Sequence, residues 1–226
     1  MKTTRALITS VFATCLLLAG AMAAGDDLPE VSHDGLHLMK GTQVKAVYLK
    51  PGADLSEYDK VSILDTYVAF RKNWQRDHNR DAASLEGRIT DEEVKKIRDY
   101  LAAEFKKVFT EELSTKGGHE VVATAGTGVL ILRPAIINLD INAPDTMEPG
   151  ITRTFTTETG QMTLYLELYD GVTQDIIARI IDPEVVGDDM GIQWSNRVTN
   201  RAAADRVLRR WAKLLNDHLA AVKSGG

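Results

Sequence analysis

Residues 160–181, GQMTLYLELYDGVTQDIIARII, decide the fold. Met162, Leu164, Leu166 and Leu168 fall on one face of an extended chain, with Thr163, Tyr165, Glu167 and Tyr169 on the other. This period of two is the mark of a strand with one face on a core. Asp170-Gly171 is a hairpin signal, and Ile176 to Ile181 supplies the returning strand. An antiparallel hairpin with one apolar face needs a cover, and the rest of the chain offers two helices for it.

Upstream, Thr90 followed by Glu93 forms a capping box, with Asp91 and Glu92 in the first turn where the helix dipole favours acids. Val94, Ile97, Leu101, Phe105, Val108 and Leu113 then recur at helical steps until Gly117-Gly118, a helix of about six turns. Downstream, Ala204, Val207, Leu208, Trp211, Leu215, Leu219 and Val222 line one side of a second helix over residues 200–222, with Asp205 and Arg209 spaced as an i,i+4 pair. The Trp211 stripe reads as core.

The remaining segments are β-rich. Lys45–Lys50 is a short strand ended by Pro51-Gly52, and Lys60–Phe70 alternates with apolar groups on both faces, as a fairly central strand does. Residues 120–124 and 128–142 are rich in β-branched and aliphatic side chains, though Pro134 requires an edge, a bulge or a bend. The expected fold is a single α+β domain over residues 44–222, of order ββ-α-ββββ-α: a largely antiparallel sheet with two amphipathic helices on one face. Residues 24–43, polar and holding Pro29, Gly25, Gly35 and Gly41, read as a flexible lead-in, and residues 223–226 as a disordered tail.

The first residues state a destination. Lys2 and Arg5 precede an apolar run from Ala6 to Ala19, and Ala21-Met22-Ala23 has the small-x-small pattern of a secretory cleavage site. The run is shorter than the roughly 20 residues that cross a bilayer, so residues 1–23 read as a signal peptide cut near Ala23, leaving a soluble periplasmic or secreted product with no transmembrane segment. Of 27 basic and 32 acidic residues, Lys2 and Arg5 leave with the signal, so the mature chain carries 25 against 32. That acidic balance excludes nucleic acid as an expected partner. Cys15 is the only cysteine; the mature chain thus has no disulfide and no thiolate ligand or nucleophile. A lipid anchor on Cys15 is disfavoured because Thr14 precedes it where such sites prefer Gly, Ala or Ser.

At Ala46-Val47-Tyr48, Pro51-Gly52-Ala53-Asp54-Leu55-Ser56 and Tyr58-Asp59-Lys60-Val61, with Asp65, Val68, Phe70 and Trp74 beyond, the chain resembles the domain-of-unknown-function family numbered 3313, over about residues 36–222. That resemblance implies an exported protein of the Gram-negative envelope, in a family with many lipoproteins, and brings no established activity. Where lipoprotein relatives would read Leu-Ala-Gly-Cys, this chain has Leu18-Ala19-Gly20-Ala21, so the resemblance implies a relative without its lipid anchor.

Candidate functional residues lie in two loops, 71–89 and 182–199, each preceding a helix and each holding a tryptophan. If the strands before the loops run in the same direction, both loops leave one edge of the sheet, and Arg71, Trp74, Arg76, His78, Trp194 and Arg197 can form one surface of the aromatic and arginine type that dominates binding hot spots. On the other reading both tryptophans cover the ends of the core. No cofactor or metal is expected: His33 and His37 are four apart but separated by Gly35, and His78, His119 and His218 are isolated. Ser84 and Ser195 lie outside any nucleophile elbow, and Gly126-Thr127-Gly128 lacks the rest of a nucleotide fingerprint. The function these features favour is a non-enzymatic envelope module that binds a protein or a cell-wall or membrane component; the alternative is a small hydrolase or ligand-binding protein whose site assembles only in three dimensions.

Overall fold

The computed structural model describes residues 28–82, 88–141, 154–156, 160–186, 193–195 and 197–224. The hairpin is its centre. Strand β8 (Gly160–Asp170) runs antiparallel to β9 (Ile176–Val186), with Leu164 opposite Asp182, Leu166 opposite Ile180 and Leu168 opposite Ala178. Asp170 builds the turn: its Oδ1 accepts from the backbone N–H of Val172 at 2.8 Å and Thr173 at 2.6 Å, and the Tyr58 hydroxyl donates to its Oδ2 at 2.9 Å. Those donors, the Thr173 and Val172 amides first, hold the Asp170 carboxyl below its ordinary pKa.

On the other side of β8 lies β6 (Val129–Ile141), also antiparallel, and beyond β9 come β2 (Ala46–Leu49) and the two-residue β1 (His37–Leu38). The far side of β6 differs from the expected antiparallel sheet. There β3 (Lys60–Ile63) and β4 (Tyr67–Phe70) lie end to end along β6, and both are parallel to it; β5 (Glu120–Val121) is parallel to β3. The helix after β4 explains the parallel pairing. A long helix carries the chain back across the sheet before it re-enters, as a parallel crossover requires. The sheet is therefore mixed, the fold is α+β, and the order is ββββ-αα-ββββββ-α, with β7 (Thr154–Thr156) and β10 (Gln193–Ser195) pairing as a separate antiparallel ribbon.

Pro134 sits inside β6, a central strand, which a missing N–H would ordinarily forbid. It is tolerated because its neighbour is interrupted there. β3 covers residues 129–132 and β4 covers residues 135–139, so Pro134 faces the break at residues 64–66 and its absent N–H leaves no ladder bond unmade on that side. Pro183, assigned from sequence to the loop 182–199, is instead within β9. The neighbouring β2 pairs only with residues 178–181, so Pro183 lies where β9 has no strand on its outer side. That is an edge position by another route.

Helix α2 (Asp91–Glu111) begins at the anticipated capping box: Thr90 Oγ1 accepts from Glu93 N at 3.2 Å, and Glu93 Oε2 accepts from Thr90 N at 2.7 Å. A π-helical turn, Glu112–Lys116, extends it. Helix α3 (Arg197–Lys223) packs beside it, and both cover the even face of β8. Phe105, Phe109, Leu130, Leu132, Ile136 and Leu208 are all completely buried between helices and sheet. The Phe105 and Phe109 rings stack at 3.8 Å between centroids. Each fully buried Phe or Leu of this kind contributes about 1.5–3 kcal/mol.

Trp211 closes the same core and donates its Nε1–H to Asp182 Oδ2 at 2.8 Å. Asp182, only 4% exposed, also accepts from Lys45 N at 2.9 Å and from Arg210 Nη1 at 3.1 Å. One buried carboxylate thus ties α3, β9 and the entry of β2 together. Its pairing makes the burial tolerable.

The opposite face of the sheet is covered in part by the residues read as a flexible lead-in. Leu36 is 1% exposed and packs with Ala46 and Tyr48. The Tyr48 hydroxyl donates to Pro29 O at 3.1 Å, and Leu38 N donates to Glu30 O at 2.9 Å. The polar composition of residues 24–43 conceals a folded strap over 28–38, because its apolar anchors, Leu28, Leu36 and Leu38, stand apart from any periodic pattern. No helix among the described residues is long and apolar enough to cross a membrane.

Candidate functional site

Arg71 stands where β4 ends. Its N–H donates to Leu139 O at 2.9 Å, extending the ladder by one residue, and Asn73, in the left-handed region at φ 64°, then turns the chain into α1 (Trp74–Asp81). That short helix lies in the segment read as a charged loop. Seven of its eight residues are polar, WQRDHNRD, so no apolar stripe announces it. The Arg71 guanidinium bonds to Asp140 on β6 and reaches Asp77 Oδ2 on α1 at 3.3 Å, fixing the helix to the sheet end.

Trp74 does not reach the surface. It is 2% exposed, stacks on Phe70 at 4.1 Å and on His78 at 5.9 Å, and donates Nε1–H to Ile141 O at 3.3 Å. With Ile89 and Val94 it forms a small separate core, the end-covering role of the alternative reading. His78 is half-buried against it. Among the described members of the group Arg76 is the exposed one, paired with its neighbour Asp77 at 2.9 Å. The side chains of Trp194 and Arg197 lie outside the described residues.

The condition on strand direction is met. β4 is parallel to β6, and β9, two antiparallel steps from β6, is parallel to it as well. The segments after β4 and β9 therefore leave the same end of the sheet. At that end lies a groove of about 430 Å³ lined by Arg71, Asn138, Gln161, Met162, Thr163, Pro183, Glu184 and Val185. Asn138 occupies the left-handed region at φ 53°, where the β6–β8 register shifts between Ile137 and Asp140. Such a bulge re-aims a side chain, and Asn is among the residues that tolerate it.

The groove combines amide, hydroxyl and charged groups with a wall of Pro183 and Val185. Burial pushes the Glu184 carboxyl above its ordinary pKa, helped by the nearby Asp182 and opposed by its bond to Arg210. Groups of this kind recognise a polar ligand or an extended backbone by hydrogen bonding. Among the described residues, no cluster of three or more His, Cys, Asp or Glu side chains could hold a metal ion.

A second polar constellation, missed in the sequence, crosses the sheet under the strap. Arg133 on β6, Glu167 on β8, Arg179 on β9 and Tyr48 on β2 occupy one cross-strand row. Glu167 accepts from Arg179 Nε at 3.1 Å and Nη2 at 2.9 Å, from the Tyr169 hydroxyl at 2.8 Å, from the Tyr165 hydroxyl at 3.2 Å and from Arg133 at 3.4 Å. Asp34 then grips Arg179 with both oxygens. Burial pushes the Asp34 carboxyl up, but Arg179 and the Ser32 hydroxyl outweigh it and hold the pKa down to about 2. Glu167 and Arg179 are ordinary alternating strand positions in sequence, and only their register pairs them.

Comparison with known proteins gives a family and little more. None of the curated proteins matches. Among solved structures, the PelC dodecamer from Paraburkholderia phytofirmans is 10% identical, with 75% of this chain and 96% of that one covered, at a TM-score of 0.37. A candidate lipoprotein from Caulobacter crescentus is 13% identical over 76% of this chain and 93% of that one, at 0.30. A protein from Xanthomonas campestris of the DUF330 family is 11% identical over 77% and 90%, at 0.31. Such scores carry no argument about role. The match to a family is direct: residues 32–215 fit the profile described as "Protein of unknown function (DUF3313)", and the chain belongs to that family.

Proposed function

We propose that this chain is a non-enzymatic module of the bacterial envelope, exported by a signal peptide cut near Ala23, that binds a protein or a cell-wall or membrane component at the sheet end from which segments 71–89 and 182–199 lead away. The observation that supports this reading is the groove beside Arg71, where hydrogen-bonding groups from the residue after β4 and from β6, β8 and β9 converge. Val185, 45% exposed, is the apolar anchor on offer there, and Arg71 is preorganised by Asp140 and Asp77. Recognition of an extended polar partner needs this combination of fixed donors and a small apolar wall.

A photo-crosslinking residue at Gln161 in living cells, compared with the same residue at Asp217 on α3, tests it. A discrete adduct at Gln161 that is absent at Asp217 and is reduced by Val185→Glu supports the reading. Equal labelling at both positions refutes it.

A further inference from the structure

Among the described residues, the eight-stranded sheet has one edge with no strand beside it. At one end it is finished by β1, only two residues long, and β5 covers the outer side of β3. Strand β4 has β6 on one side and, among the described residues, no backbone hydrogen bond from Tyr67–Phe70 to any element on the other. Alternate residues of such a strand point their N–H and C=O groups outward. Natural edges are blunted by proline, lysine, bulges or a covering loop; residues 64–70, LDTYVAF, contain neither proline nor lysine. Two of the large exposed hydrophobic residues flank this edge, Leu64 at 43% and Tyr67 at 56%.

We propose that this edge pairs with the same edge of a second copy of the chain, antiparallel about a two-fold axis at Val68, so that two sheets join into one. The sequence around that axis is self-complementary. Asp65 and Arg71 are each three residues from Val68, so antiparallel pairing sets Asp65 against the other copy's Arg71 twice over. Asp65 has its side chain 99% exposed and is held only by a solvent-exposed pair with Lys106 at 3.4 Å, a contact of the kind worth little; Arg71 is bonded to Asp140 and Asp77 and remains 37% exposed. A slip of two residues in register breaks both charge pairs. Tyr67 falls opposite Ala69, a small residue that leaves room for the ring on the open face, where Tyr67 is in register with Ala135. An interface in which the same patch serves both copies closes after two and does not polymerise. Arg71 also lines the groove, but the pairing of the two edges rests on the backbone of Tyr67–Phe70 and on Asp65, which lie outside it.

The test uses the cysteine-free mature chain from Ala24 onward. Sedimentation over concentrations on the order of 1–100 µM is expected to show a reversible dimer. Tyr67→Lys removes two cross-strand pairs by symmetry and should weaken the dimer about tenfold or more, with the circular dichroism of the wild type retained. Asp65→Arg, at a fully exposed position, places like charges against Arg71 and serves where Tyr67→Lys fails to fold. The double variant Tyr67→Cys/Ala69→Cys should form a disulfide-linked dimer on mild oxidation, whereas Val172→Cys, exposed on the β8–β9 turn, should not. A monomer throughout this range overturns the proposal. So does a dimer indifferent to both charge variants, or one that crosslinks through Val172 as readily as through 67 and 69.

Discussion

Replacing Asp34 by Asn loosens the strap from the sheet, and the size of the effect follows from the charges it touches. Asp34 faces Arg179, which is 6% exposed, and its carboxyl is held down to about 2 against an ordinary 3.8. A group whose pKa is lowered by folding stabilises the fold above its unfolded pKa and loses that contribution as pH falls through the folded value. The shift corresponds to at most about 2.4 kcal/mol. The Asp34 side chain is 24% exposed, so solvent screening brings the expected contribution to about 1–2 kcal/mol.

In a domain of this size that is a fall in Tm of roughly 3–6 °C at pH 7. Hydrogen exchange should quicken at Leu36, which donates to Ser32 Oγ, and at Leu38, which donates to Glu30 O, while the amides of α2 stay protected. Between about pH 4 and pH 2 the wild type should lose the same increment and converge on the variant. A variant whose Tm matches the wild type at pH 7, or whose strap amides exchange no faster, would refute the view that Asp34–Arg179 holds residues 28–38 in place.

Trp74→Ala should cost about 3–5 kcal/mol in chemical denaturation, since a buried, stacked indole leaves a cavity, whereas Trp74→Phe retains most of the packing. A stable Trp74→Ala protein would return this residue to the list of surface contacts. Thr90→Ala removes half of the capping box and should lower stability by about 1 kcal/mol, read as a Tm drop of a few degrees. Gly171→Ala should destabilise by about 1–3 kcal/mol, because its new methyl would meet Gly126 O at 2.5 Å and Val129 O at 2.6 Å, both backbone atoms that cannot swing aside; an unchanged denaturation midpoint would show that the 126–129 turn yields.

The sequence by itself determined whatever is local. The capping box at Thr90, the apolar stripe from Val94 to Leu113, the alternation of Met162 to Leu168 and the Asp170 turn all depend on residues within a few positions of one another, and each is present as expected. The parallel course of β3 and β4 along β6, the burial of Trp74, the strap anchored by Leu36 and the row Arg133–Glu167–Arg179–Tyr48 were decided only by tertiary structure. Each depends on contacts between separate elements, beyond the reach of local spacing, and the pattern of a strand is the same whichever neighbour it pairs with. The groove beside Arg71 shows both halves of this division. Its loops were marked in the sequence by charge and tryptophan, but their common exit depends on two successive antiparallel pairings, and the packing of Phe70, Ile89 and Ile141 around Trp74 took the tryptophan into the core and left the arginine at the rim.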